Sequence, residues 1–156
     1  MDEKMKRLIF ETMSEVFETM FFVFLEPLRS VPADCNVQTP KPYVAAQVEF
    51  FCDSTGFVRI YFPLVLAQNI TSNFLGVDAS EIDLKRIKDA MGETVNMVMG
   101  SLLGKLDPHG QCTLGIPETA EIPLLTLKTI VDNPKTCLFN TEHGLLLTVF
   151  GERSGK

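Results

Sequence analysis

Residues 81–106 read EIDLKRIKDAMGETVNMVMGSLLGKL. Leu84, Ile87, Met91, Val95, Val98, Leu102 and Leu106 follow one another at steps of three and four. At about 100° per residue they form one apolar stripe along a long helix. Asp78-Ala79-Ser80-Glu81 offers N-cap chemistry at its start, and Asp107-Pro108 stops it. The opposite side gathers Asp89, Glu93, Asn96, Met97, Gly100 and Gly104 within about 60° of one line. Glycine inside an exposed helix costs about 1 kcal/mol relative to alanine. Here Gly92, Gly100 and Gly104 fall within thirteen residues. Such a face leaves room for a close neighbour, which is either the helix's own sheet, another helix, or a partner.

Working outward, residues 4–22 predict another helix. Ile9, Met13, Val16, Phe17, Met20 and Phe24 recur at helical spacing, with Glu11, Glu15 and Glu18 on the other face. Pro27, Pro32, Pro40 and Pro42 then enforce a loop or an extended edge. Residues 44–51 and 56–62 predict a hairpin turned by Asp53-Ser54-Thr55-Gly56. Pro63 suits the first turn of a helix running to Phe74, with Gly76 just past its end. The remainder predicts strands at 111–116, 124–131, 136–140 and 145–150. Strands joined by short turns, without regular strand–helix alternation, predict an α+β fold with a mainly antiparallel sheet. Helices 4–22 and 81–106 should pack side by side, in two loosely repeated halves. No linker divides the chain, so 1–156 is expected to be a single domain.

The 156 residues are 46% hydrophobic and 22% charged, an ordinary globular mixture rather than a disordered one. Fourteen Lys and Arg against twenty Asp and Glu give a net charge of −6. No basic patch suits a nucleic acid, and an acidic surface favours partners with exposed cations. The longest wholly apolar run is six residues, 20–25, far short of the ~20 that span a bilayer. Residues 1–7 lead into no signal-peptide core, so a cytoplasmic protein is expected. Cys35, Cys52, Cys112 and Cys137 are widely spaced and are expected to be free thiols. Only His109 and His143 accompany them, so neither a metal site nor a Cys/His or Ser/His/Asp set is expected. No phosphate-binding glycine loop occurs, because the clustered glycines fall inside a helix.

Glu93 and Asn96 are neighbours on one helix face, a common pairing in isolation. Its setting is less common: Asp89 stands one turn earlier and Gly100 one turn later. The run Gly92-Glu93-Thr94-Val95-Asn96-Met97-Val98-Met99-Gly100, with Lys105-Leu106 beyond it, resembles the signature of the CheC/CheX chemotaxis phosphatases. That signature is an acidic or hydroxyl residue, three residues, Glu, two residues, Asn, and a proline further on. Asp89, Glu93, Asn96 and Pro117 fit it. Glu15-Val16-Phe17-Glu18-Thr19-Met20 is similar to the first helix of CheX-type members. The hairpin and the 63–76 helix also sit where the family has them.

The resemblance implies a phosphatase acting on the aspartyl phosphate of a CheY-type response regulator. Asn96 would orient the attacking water, and Glu93 would pair with the regulator's lysine. Asp89, Met97 and Gly100 would belong to the partner-binding face. It implies no cofactor of the chain's own, with Mg²⁺ on the regulator. Two-site relatives repeat the Glu and Asn on the first helix. Here the aligned positions are Glu15, Glu18 and Phe22, which implies one site per chain and a CheX-like homodimer. Strands 136–140 and 145–150, apolar and short of charges, would offer that dimer an edge. The alternative is a catalytically silent module of the same fold that binds a regulator or a flagellar-switch component.

Overall fold

The first helix begins at Asp2, whose Oδ1 accepts a hydrogen bond from the Met5 backbone N–H at 2.7 Å. This helix, α1, spans Glu3–Phe21, and Ile9, Met13, Val16, Phe17 and Phe21 bury its inner face. It closes on Phe22, a left-handed residue with φ 56°. There the Phe22 N–H bonds Glu18 O and the Val23 N–H bonds Phe17 O, an arrangement that usually employs glycine. The chain turns away at that point. Phe24, expected on the apolar stripe, is instead 78% exposed and Met20 is 48% exposed.

The computed structural model describes residues 2–153. After α1 come β1 (Glu26–Leu28), β2 (Lys41–Phe51), β3 (Thr55–Pro63), α2 (Leu64–Leu75) and α3 (Leu84–Leu106). Then follow β4 (Thr113–Leu114), β5 (Glu118–Leu125), the short α4 (Lys128–Val131), β6 (Thr136–Thr141) and β7 (Gly144–Arg153). The described residues form a seven-stranded sheet in the order β1-β6-β7-β3-β2, with β4 and β5 both on the far side of β2. Every pairing is antiparallel, so the α+β expectation holds.

The β2–β3 hairpin sets the period-two pattern. Val44↔Phe62, Ala46↔Ile60 and Val48↔Val58 are paired, and all six are buried on the face that α1, α2 and α3 cover. Tyr43, Ala45 and Tyr61 face the other way, into a second apolar cluster with Leu127, Leu138, Leu145, Leu147 and Val149. Tyr43 Oη donates to Leu145 O there at 2.6 Å. Helices α1 and α3 pack on each other, tied by Lys105 Nζ, which donates to Thr12 Oγ1 at 3.0 Å and pairs with Glu15 at 3.2 Å.

Several expectations need correction. Asp83, not the Asp78–Glu81 run, caps α3: its Oδ1 accepts the Arg86 N–H at 2.9 Å, while Asp78 caps a short 3-10 turn. Leu106 escapes the buried stripe and is 46% exposed. The strand expected at 111–116 shrinks to the two residues of β4. The one expected at 124–131 lies earlier, as β5, and its second half is α4. As an edge strand β5 tolerates Glu118, Glu121 and Pro123, letters that hid it. Its register slips opposite Pro42, a bulge where a missing N–H does no harm. β6 lies between β1 and β7, and β7 lies between β6 and β3, so neither is the edge a dimer could use.

The thiol expectation also fails in part. Cys52 and Cys112 are disulfide-bonded, with Cα atoms 4.4 Å apart, because β4 pairs with the end of β2 and brings the two cysteines together. Cys35 and Cys137 are free. No described helix is long and apolar enough to cross a membrane.

Burial raises the Cys137 thiol from 9.0 to about 11, opposed in part by Lys6. It raises the Tyr43 phenol as well, with Cys35 adding to the effect. Both groups are therefore held neutral in the fold. The Cys137 contribution is complete below pH 9 and is lost as pH rises toward 11, because the unfolded chain's thiol ionises first; that of Tyr43 is complete below pH 10 and declines only above it. Urea midpoints should fall above pH 9, with the Cys137 share on the order of 2 kcal/mol. Cys137→Ala should flatten that decline.

Candidate functional site on the outer face of α3

The inner residues of α3 dictate which residues it presents outward. Ile87, Met91, Val95, Val98 and Leu102 are buried against the sheet and its neighbouring helices. That burial leaves Asp89, Glu93 and Gly100 exposed, and Asn96 and Met97 half-buried, on the far side. The five residues expected at a site thus share one face of one helix.

The three glycines divide by role. Gly92 is buried, and a Cβ placed on it would lie 3.4 Å from Pro117 Cβ and 3.6 Å from Thr119 Cγ2. The start of β5 therefore stands against α3 at Gly92, one turn before Asn96. Gly100 and Gly104 meet nothing within 4 Å, so the face beyond Asn96 is open. Pro117 reaches its place through β2. The β4 residues pair with Phe50 and Phe51, Gly115 N–H donates to Glu49 O at 2.8 Å, and Glu118 pairs with Gln47. Thr119 was not singled out in the sequence; only its position two residues after Pro117 hints at it.

Asn96 carries the most informative feature of this face. Its Oδ1 is enclosed yet has no hydrogen-bond partner among the described residues. Such an acceptor costs about 1–3 kcal/mol and calls for a reason. Thr94, buried two residues earlier, is satisfied through its Oγ1–H to Ala90 O at 2.8 Å. The helix can therefore satisfy its polar groups, and Asn96 is the exception. An amide offers both an acceptor and donors and does not titrate, so with the side chain turned outward this position suits the holding of a small polar molecule such as water.

The first helix provides no second copy of this arrangement. Glu15 is bound to Lys105, Glu18 is half-buried, and Phe22, the counterpart of Gly100, lies past the end of α1. His109 is exposed in a loop, and His143 Nε2 lies 3.0 Å from Asn69 Nδ2. Among the described residues no three His, Cys, Asp or Glu side chains are grouped to hold a metal ion.

Two substitutions test this geometry by stability alone. Asn96→Ala removes an unsatisfied acceptor, so it should leave the unfolding free energy unchanged or raise it by about 1 kcal/mol. Gly100→Ala adds a methyl into open space on a helix and should stabilise by up to about 1 kcal/mol. Denaturant unfolding of both variants reads the two effects.

Comparison with known proteins agrees with this architecture. The sequence model described as "Chemotaxis phosphatase CheX" matches residues 44–139. No curated protein matches the chain. Among solved structures, the chemotaxis protein CheX from Vibrio vulnificus shares 18% identity at a TM-score of 0.73, covering 94% of this chain and 95% of that one. CheX from Desulfovibrio desulfuricans shares 19% identity at 0.69, covering 96% and 99%. The CheX–CheY–BeF3–Mg²⁺ complex from Borrelia burgdorferi shares 14% identity at 0.65, covering 95% and 97%. The fold is common to all three, and with the family match over its central 96 residues, 44–139, this chain belongs to the CheX family of chemotaxis phosphatases.

Proposed function

We propose that this chain hydrolyses the aspartyl phosphate of a CheY-type response regulator, using the outer face of α3. The observation that carries the reading is the enclosed, unpartnered Oδ1 of Asn96 beside an exposed Glu93. The Borrelia burgdorferi relative solved with CheY, BeF3 and Mg²⁺ supports the class of partner.

An acyl phosphate is already reactive, and phosphoryl transfer passes through a loose transition state that asks little of a nucleophile. Placement of water in line with the leaving oxygen is what a catalyst adds. Asn96 does this once docking turns its amide outward, accepting from the water through Oδ1, which the free chain keeps enclosed, and donating through Nδ2. Glu93 fixes the encounter by pairing with the regulator's active-site lysine, a charge-assisted contact. Asp89, Met97 and Gly100 line the docking face, and the open space at Gly100 admits the partner's backbone. Mg²⁺ stays with the regulator and balances the phosphate charge there; the chain needs no cofactor of its own.

Self-association belongs to the same reading, as a homodimer. Of the described strands, β5 has an outer edge of useful length, with Leu124 exposed upon it. Sedimentation that finds only monomer at roughly tens of micromolar, where a standard interface would be populated, would remove the dimer and leave the site intact.

Phosphate release from a phosphorylated CheY-type regulator tests the reaction. Asn96→Ala should lower release by about two orders of magnitude, the scale lost with one preorganised group, while regulator binding persists. Glu93→Ala should weaken binding and turnover together. Glu18→Ala should stay near wild type. Release no faster than the regulator's own decay, with tight binding retained, would instead identify a silent docking module.

A further inference from the structure

The Cys52–Cys112 bridge occupies a position that reaches beyond folding. Phe51 and Thr113 form the last pair of the β2–β4 ladder, and the disulfide is the next rung. β4 itself has only two residues, too short a ladder to hold firmly on its own. Its other ties are the packing of Leu114 on the main core, the Gly115 N–H to Glu49 O bond at 2.8 Å and the Cys112 N–H to Asp107 Oδ2 bond at 2.6 Å. Five residues after Cys112 the chain arrives at Pro117, against Gly92, which directly precedes Glu93 in α3. The bridge thus clamps the segment that sets one wall of the α3 face. It is also accessible, since Cys52 is exposed and Cys112 half-buried.

We propose that this disulfide is a reversible redox latch on the Pro117 wall of the α3 site; its effect on turnover rests on the phosphatase reading above. The reductant is a dithiol. Its first thiolate attacks the exposed Cys52 sulfur, the S–S bond breaks, and Cys112 leaves as a thiolate that takes a proton. The dithiol's second sulfur then displaces Cys52. The reductant ends as a disulfide and the chain as two thiols, with two electrons and two protons transferred. Reoxidation by a disulfide such as glutathione disulfide reverses the steps. With the latch open, residues 107–116 are held by the short β4 ladder, the packing of Leu114, one backbone hydrogen bond to Glu49 and one from the Cys112 N–H to the Asp107 carboxylate, and Pro117 shifts relative to Gly92. With it closed, the wall beside Asn96 is fixed.

The test compares full-length protein oxidised with glutathione disulfide and reduced with dithiothreitol. Amide exchange in 107–117 should quicken about tenfold on reduction, as for a segment released from its local restraint, and the amide resonances of 92–97 should move. Phosphate release should fall about tenfold, in keeping with the sensitivity of catalysis to small misplacements, and should recover on reoxidation. Cys52→Ser should match the reduced form and ignore dithiothreitol, whereas Cys35→Ser should respond as wild type does. If Cys52→Ser does not fold, the dithiothreitol titration of wild type carries the same readouts. A bridge that resists excess dithiothreitol, or reduction that leaves both the 107–117 exchange and the 92–97 resonances unchanged, overturns the latch. Two redox forms that differ in exchange but both fail to release phosphate overturn the phosphatase reading and leave the latch standing.

Discussion

The rotational setting of α3 on the sheet is the constraint from which the rest of the molecule follows. Met91, Val95 and Leu102 are wholly or nearly wholly buried, and they share their cluster with Val44, Ala46 and Val48 of β2. Rotating the helix by one residue would carry about 100° of surface out of that contact and expose apolar area worth ~25 cal/mol per Å². The helix is therefore locked in azimuth, and the residues opposite the stripe are fixed as its outward face. Lys105 adds a second restraint at the far end through Thr12 and Glu15 of α1. A face held in this way presents Glu93 and Asn96 in a fixed relation to any incoming molecule, with little left to order when it arrives.

This face runs against the helix's own stability. Alanine would serve better than Gly100 and Gly104 in an unoccupied helix surface, and a methyl would serve better than the unpaired amide oxygen of Asn96. Local choices that conflict with the fold are where function is expected to reside. The same helix includes Gly92, buried at the margin of this face, whose small size has an internal reason, the close stand of Pro117. One helix thus spends a glycine on its own architecture and leaves two others facing open space.

Much of this was legible in the sequence, and the exceptions have physical reasons. The stripe of α3, the β2–β3 hairpin and the helix after Pro63 could be read because each carries its own periodicity and punctuation. The set Asp89, Glu93, Asn96 and Gly100 could be placed on one face from helical geometry alone. The strand β5 could not, because an edge strand answers to solvent on one side and its Glu and Pro residues break the alternation. The end of α1 was misread because the apolar spacing runs on through Phe24, while the left-handed turn at Phe22 diverts the backbone. The Cys52–Cys112 pairing is a tertiary fact. It depends on β4 lying beside the end of β2, across 60 residues of chain, and nothing near either cysteine announces it. The unpaired state of Asn96 Oδ1 is likewise visible only once the helix is seated.

The central claim is that the amide of Asn96 directs water at a phosphoryl group held by the partner. Asn96→Asp tests it most directly, because it keeps the shape of the side chain while replacing the amide's donor with a charged acceptor that repels phosphate. Phosphate release from a phosphorylated CheY-type regulator should then collapse to the regulator's own rate, while the variant, less stable than wild type because a carboxylate oxygen is enclosed without a partner, stays folded and still binds the unphosphorylated regulator. Release at the wild-type rate by Asn96→Asp would contradict the account.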